Sequence, residues 1–131
     1  MRSMDKDRLL SVALRVFGTV FLLGYPLGLI WPSGWIWHHG AGGYYLQMIQ
    51  GIYAVLGIFM IIAANNPVAH RSLISFVAWS SAVHALIMAI QAIGDSHETG
   101  HLLGDVPALM LVAGALWYLA RPTTRSSAAS P

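Results

Sequence analysis

Ser72–Ile93 has the sequence SLISFVAWSSAVHALIMAIQAI, a run of 22 residues that contains no Asp, Glu, Lys or Arg. A helix rises about 1.5 Å per residue, so this run extends about 33 Å as a helix. The hydrocarbon core of a bilayer is about 30 Å thick. The stretch therefore predicts a helix that crosses a membrane.

Three further apolar stretches lie on either side of this one, at Leu9–Ile30, Tyr44–Ala64 and Val106–Ala120. Turn residues separate them, and the last stretch must start near Leu102 to span. Gly104-Asp105-Val106-Pro107 resembles a helix start, with Asp105 as the N-cap. The prediction is an all-α integral membrane four-helix bundle with short loops. It comprises an N-terminal segment (1–8), a transmembrane domain (9–120) and a disordered cytoplasmic tail (121–131).

The composition agrees with a membrane protein. Of 131 residues, 56% are hydrophobic and 9% are charged, whereas a soluble domain carries about 25% charged residues. This excludes an ordinary soluble enzyme, a nucleic-acid binder and a disordered chain. The sequence has no cysteine, which excludes disulfides, thiolate metal sites and thiol nucleophiles.

The basic residues indicate an orientation. All of them lie on or near the N-terminus, the 65–71 turn and the tail, whereas the loops 31–43 and 94–105 contain none. By the positive-inside rule, both termini of this inner-membrane protein are expected to face the cytoplasm. The seven residues are Arg2, Lys6, Arg8, Arg15, Arg71, Arg121 and Arg125.

The outer loops concentrate imidazole and carboxylate groups, which are ligands for Zn²⁺ and Cu²⁺. The run from His97 to His101 also matches the His-Glu-x-x-His pattern, in which Glu98 is the general base of a zinc hydrolase. Gly100 and Gly104 disfavour the helix that this enzyme requires, so a non-catalytic metal site is the stronger hypothesis, beside a merely solvated loop. The candidate metal ligands are His38, His39, His97, Glu98, His101 and Asp105.

Polar residues also continue into the predicted membrane segments. In the third segment they recur at spacings of 4, 3 and 4, which places them on one helix face, and the second segment offers Gln and Tyr53 as partners. Polar groups at this depth are costly and mark functional sites, although a hydrogen bond between helices explains them equally well. The candidate ligand pocket comprises His84, Met88, Gln91, Asp95, Gln47 and Gln50. Its ligand would be a small polar or lipophilic molecule, with haem or quinone less favoured.

Two packing features accompany this pocket. Gly24-x-x-x-Gly28 predicts close helix approach in the first segment. Met48, Met88 and Met110 lie at similar depth on three segments, where they are expected to fill the core rather than to bind Cu(I).

Four stretches resemble a family of small four-helix bacterial membrane proteins, catalogued as a domain of unknown function. They are Tyr45–Tyr53, Asn66–Ile74, Trp79–His84 and Gly100–Pro107. The resemblance covers most of residues 44–120 and implies the fold and membrane location, but no activity. The early Arg15–Gly18 stretch is more loosely similar to DoxX-type membrane proteins, which are linked to quinones.

The sequence thus favours a membrane protein that binds a metal or small ligand without catalysis. The alternative is an accessory subunit of a larger electron-transfer, photosynthetic or respiratory complex, since the chain has almost no mass outside the membrane. Expected partners are membrane lipid, a second copy or such a complex, but not nucleic acid. A membrane zinc hydrolase is the less favoured alternative.

Overall fold

The computed structural model describes residues 3–30, 41–94 and 102–121. This part of the chain forms four α-helices and contains no strand, which confirms the prediction of an all-α four-helix protein. They are α1 (Ser3–Ile30), α2 (Ala41–Ala63), α3 (Arg71–Gly94) and α4 (Asp105–Ala120).

The start of α4 differs from the prediction. Gly104, not Asp105, occupies the N-cap position, and no side chain there forms a capping hydrogen bond. Asp105 is instead the first helical residue, and Pro107 lies in the first turn, where its missing N–H is tolerated. A carboxylate in this turn still interacts favourably with the helix dipole.

The helices pair unevenly. α1 packs along α2, α3 packs along α4, and α1 also contacts α4, whereas α2 and α3 meet at few positions. The turn between α2 and α3 is closed by backbone hydrogen bonds such as Asn65 N–H to Ile62 O and His70 N–H to Pro67 O. The bundle therefore consists of two hairpins joined along α1 and α4, with a sparsely packed seam between α2 and α3.

The buried core lies at one end of this bundle. The closed end comprises the described residues 3–18, 54–83 and 112–121, and the open end comprises 19–30, 41–53, 84–94 and 102–111. Among the residues whose burial is described, Ala85 and Ala92 are the buried ones of the open end. The core cluster lies in the closed end: Leu10, Leu14, Met60, Ala63, Ala64, Ile74, Val77, Ala78, Val112, Leu116 and Leu119.

A backbone contact between α1 and α2 fixes the closed end. A Cβ atom added to Gly18 would lie 2.7 Å from the carbonyl oxygen of Gly57, and one added to Gly57 would lie 2.7 Å from the amide nitrogen of Leu22. Only glycine lets two helices approach so closely. The approach predicted at Gly24 is less tight, since an added Cβ would meet the Oε1 atom of Gln50 at 3.1 Å.

Two of the helical stretches, Met4–Leu27 and Arg71–Gly94, are long and apolar enough to cross a membrane. Gln47–Ala63 and Asp105–Ala120 are shorter apolar helical stretches. By length and composition alone, membrane character is therefore weakly indicated.

Gly57→Ala is expected to destabilise the protein by about 1–3 kcal/mol, because the added methyl group overpacks a contact between two backbones. The measurement is the unfolding free energy of the detergent-solubilised protein. Gly51→Ala on the same helix is the matched control, since an added Cβ meets nothing within 4 Å there and alanine favours the helix by up to about 1 kcal/mol. Equal stability of the two variants would contradict the proposed crossing.

Candidate functional site

A hydrogen bond between Tyr53 and His84 crosses the seam between α2 and α3. It joins the phenol oxygen of Tyr53 to the Nδ1 atom of His84, and both side chains are half-buried. The two rings lie 5.6 Å apart between centroids and are tilted by 42°. The Nε2 atom of His84 takes no part in this bond.

α1 holds the phenol ring of Tyr53 from its other side. The ring of Phe21 meets it edge to face, with centroids 5.0 Å apart and an interplanar angle of 84°. Such aromatic pairs contribute about 0.5–1.5 kcal/mol beyond the area that they bury. Tyr53 lies one helical turn before Gly57, and a Cβ on Gly57 would meet the Cβ of Phe21 at 3.2 Å. The glycine crossing thus brings Phe21 to the tyrosine.

Of the two glutamines predicted on α2, Gln50 lies within one helical turn of Tyr53. Gln50 and Gln47 are both half-buried, and the Oε1 atom of Gln50 faces Gly24 on α1. Gln50 precedes Tyr53 by three residues, so the two side chains share one side of the helix. Gln50 therefore extends the polar region from the seam towards α1.

On α3 the predicted polar stripe follows the edge of the buried stripe. Successive residues turn by about 100°, which places His84 and Gln91 about 80–120° around the helix from the buried Ala85 and Ala92. Met88 is half-buried between the two stripes, and Gln91 is exposed. These polar side chains therefore border the seam rather than fill the centre of the bundle.

Asp105 adds a carboxylate at the open end. It is half-buried at the start of α4, and its charge acts on the imidazole of His84. This residue is the one member of the predicted metal site that falls within the described residues. It links that hypothesis to the seam electrostatically, because its charge acts on a member of the predicted ligand pocket.

The other predicted site residues lie outside the part of the chain that the structure describes. Within that part, no group of three His, Cys, Asp or Glu side chains is arranged to hold a metal ion. The outer-loop metal site thus stays a prediction. The residues concerned are His38, His39, Asp95, His97, Glu98 and His101.

The methionines do not converge. Met48 and Met110 are both more than half exposed, whereas Met88 is half-buried. The expectation that all three fill the core is wrong for Met48 and Met110, because the open end packs too loosely to cover their side chains.

Sequence reasoning missed a buried hydroxyl on α3. Ser81 is 1% exposed, and its Oγ atom has no hydrogen-bond partner among the described residues. It precedes His84 by three residues. Two open surface depressions lie away from this hydroxyl: one borders Met48, Gly51, Ile52 and Val55, and the other borders Asp5, Arg8, Leu9 and Val12.

Comparison with known proteins identifies the family of the chain. The model of a family of unknown function, DUF6632, matches residues 5–130, which confirms the resemblance seen in the sequence and extends it to α1 and the tail. No curated protein and no solved structure matches the chain. The similarity to DoxX-type proteins is not shown.

The Tyr53–His84 bond is expected to appear as a coupling energy in a double-mutant cycle. Tyr53→Phe removes only the hydroxyl and keeps the ring against Phe21, and His84→Ala removes the imidazole. Hydrogen bonds between membrane helices contribute about 0.6 kcal/mol on average and up to about 1.7 kcal/mol. The unfolding free energies of the two single variants and the double variant give the coupling. Effects that add within about 0.3 kcal/mol would show that the two groups do not interact.

Proposed function

The chain belongs to the DUF6632 family, and we propose that it is an integral protein of the bacterial inner membrane that binds a small ligand at the seam between α2 and α3. The observation that carries the proposal is the Tyr53–His84 pair, a polar contact between two helices that otherwise scarcely touch.

The surface of the helices supports insertion into a membrane. Large apolar side chains point outward on every helix, and Ile52, Ile90 and Leu111 are 68%, 62% and 64% exposed. A water-soluble bundle presents charged and polar residues on its outer faces instead. α4 has 16 residues and is about 24 Å long. It spans with the help of local bilayer thinning.

The cations of the described helices support an orientation. Every described Lys and Arg belongs to the closed end, and the open end has none. The positive-inside rule then places the closed end, with both chain termini, on the cytoplasmic side. These cations are Lys6, Arg8, Arg15, Arg71 and Arg121.

This orientation is tested by cysteine labelling, for which the cysteine-free sequence gives no background. Asn66 and Leu103 are exposed at opposite ends of the bundle. In cells whose outer membrane is permeabilised, Leu103→Cys should react with a membrane-impermeant maleimide. Asn66→Cys should react only after the inner membrane is opened. The reverse pattern would invert the proposed topology, and labelling of both positions would contradict insertion.

The seam supports ligand binding in three ways. The His84 Nε2 atom is not used by the bond to Tyr53, so the imidazole retains a second hydrogen-bonding edge. Gln50 and Gln91 flank the pair with amide groups. The loosely packed open end leaves the seam accessible from the lipid side. A small lipophilic molecule with a polar head meets these conditions, because its head pairs with polar groups that would otherwise face hydrocarbon.

A metal ion is the second candidate, and the electrostatic influence of the Asp105 carboxylate on the His84 imidazole favours it. The two groups are a carboxylate and an imidazole, which suit Zn²⁺ or Cu²⁺. His97 and His101 precede Asp105 by eight and four residues. They are the imidazoles that the sequence predicts as the remaining ligands.

The lipophilic molecule and the metal ion are distinguished by analysing what copurifies with the protein in mild detergent. Mass spectrometry of an organic extract detects a lipophilic molecule, and elemental mass spectrometry detects zinc, copper or iron. We expect an organic molecule at near-stoichiometric amount, reduced about tenfold by Tyr53→Phe and by His84→Ala, since each variant removes a polar group from the site. Near-stoichiometric metal that is lost in His84→Ala and in Asp105→Asn would favour the metal candidate instead.

Two matched controls show whether these losses are specific. Tyr45→Phe makes the same change at an exposed tyrosine of the same helix, and His70→Ala removes an imidazole at the closed end. Both should retain the wild-type amount. Equal amounts in all variants, or neither a molecule nor a metal in the wild type, would overturn ligand binding at the seam.

A further inference from the structure

The charges of the described residues divide unequally between the two ends of the bundle. The closed end has five basic residues against the acids Asp5 and Asp7, and the open end has Asp105 alone. A surface of this kind attracts the anionic lipids of the cytoplasmic leaflet. Attraction to a charged surface is diffuse, however. A specific lipid site requires a cation whose charge is not already bound by another group of the protein.

Three of the five cations already interact with other side chains of the protein. The Arg15 guanidinium donates to the Oδ1 atom of Asn65 at 3.3 Å. The ammonium of Lys6 lies 4.6 Å from the centroid of the Tyr118 ring, and the guanidinium of Arg121 lies 3.4 Å from that of Trp117. Such cation–π contacts stabilise the charge in place.

The other two cations, Arg8 and Arg71, are exposed and form no hydrogen bond or ion pair with the described residues. Their surroundings differ. Arg8 borders an open depression on α1, together with Asp5, Leu9 and Val12. Arg71 begins α3, on the other hairpin of the bundle.

An exposed apolar strip continues from this depression along α1. Val12, Val16 and Val20 follow Arg8 at steps of four residues, and all three are more than half exposed. Residues four apart lie above one another on a helix face, about 6 Å apart along the axis. The strip therefore extends about 18 Å from the guanidinium towards the open end, on the side of α1 that faces away from the bundle core.

We propose that this surface binds one anionic phospholipid with a hydroxylated headgroup, such as phosphatidylglycerol. The guanidinium of Arg8 pairs with the phosphate, and an acyl chain lies along Val12, Val16 and Val20. The carboxylate of Asp5, one turn before Arg8, accepts hydrogen bonds from the headgroup hydroxyls. A zwitterionic choline headgroup has no hydroxyl to donate, so it is bound less well.

The inference rests on the membrane insertion and orientation proposed above, but not on the ligand at the seam. Arg8 belongs to the closed end, and Tyr53 and His84 lie at or near the start of the open end on other helices. The Tyr53→Phe variant should therefore retain the lipid while it loses the seam ligand. This difference separates a failure of one proposal from a failure of the other.

The test is native mass spectrometry of the full chain in detergent with equimolar phosphatidylglycerol and phosphatidylcholine. We expect one phosphatidylglycerol to remain bound to the wild type, and Arg8→Gln to bind it about fivefold more weakly, since each basic residue near a lipid surface contributes about this factor. Arg71→Gln is the matched control: it lowers the net charge equally on a different helix and should retain the lipid. Circular dichroism verifies that both variants are folded.

Three results would overturn the proposal. Equal weakening in Arg8→Gln and Arg71→Gln would mean that the whole basic end attracts anionic lipid without a site. Equal retention of the two lipids by the wild type would remove the headgroup preference. Displacement of phosphatidylglycerol by excess inorganic phosphate would mean that the site recognises a free anion rather than a lipid.

Discussion

The contact between the backbones of Gly18 and Gly57 is the constraint from which the other features follow. Without side chains at the crossing, α1 and α2 come close enough for Phe21 to meet Tyr53 edge to face. Tyr53 is thereby held towards α3, where its hydroxyl reaches His84. In a membrane, where water drives no apolar helices together, such close approach and hydrogen bonding between helices are the main sources of packing specificity. The same glycine contact thus organises the core and positions the candidate site.

The two ends of the bundle differ because their residues differ in size and polarity. The closed end contains leucine, isoleucine, valine, methionine and alanine side chains that interdigitate around the crossing. Instead of such apolar side chains, the open end has half-buried glutamines, a histidine and a tyrosine. Polar groups of this kind require partners when they leave water, and the Tyr53–His84 hydrogen bond between α2 and α3 supplies one. A tightly packed apolar seam in the same place would leave no room for a ligand. Looser packing at the site is therefore a consequence of the residues that give the site its chemistry.

The sequence was sufficient to predict the helices but not how they pair. The apolar stretches and turn residues predicted four helices within a few residues of α1 to α4, except that α1 begins six residues earlier and Gly104 caps α4. Periodicity also placed His84, Met88 and Gln91 on one side of α3. However, it gave no sign that Gly18 and Gly57 would meet, since they are 39 positions apart and neither belongs to the Gly24-x-x-x-Gly28 pattern. Tyr53 was a possible partner of His84, but Phe21 was one apolar residue among many.

The cation–ring pairs of the closed end and the Tyr53–His84 pair lie at different levels along the bundle, and we expect different roles for them. In the closed end, two cations stack on aromatic rings of α4: Lys6 lies over Tyr118, and Arg121 lies over Trp117. Tyr and Trp prefer the headgroup region of a membrane, so under the proposed insertion these pairs would anchor α1 and α4 at the depth of the lipid phosphates. The seam pair would then lie deeper in the bilayer than these two cation–ring pairs. The proposed ligand would meet Tyr53, His84 and the Asp105 carboxylate there, which is why we favour a lipophilic molecule with a polar head over an anion.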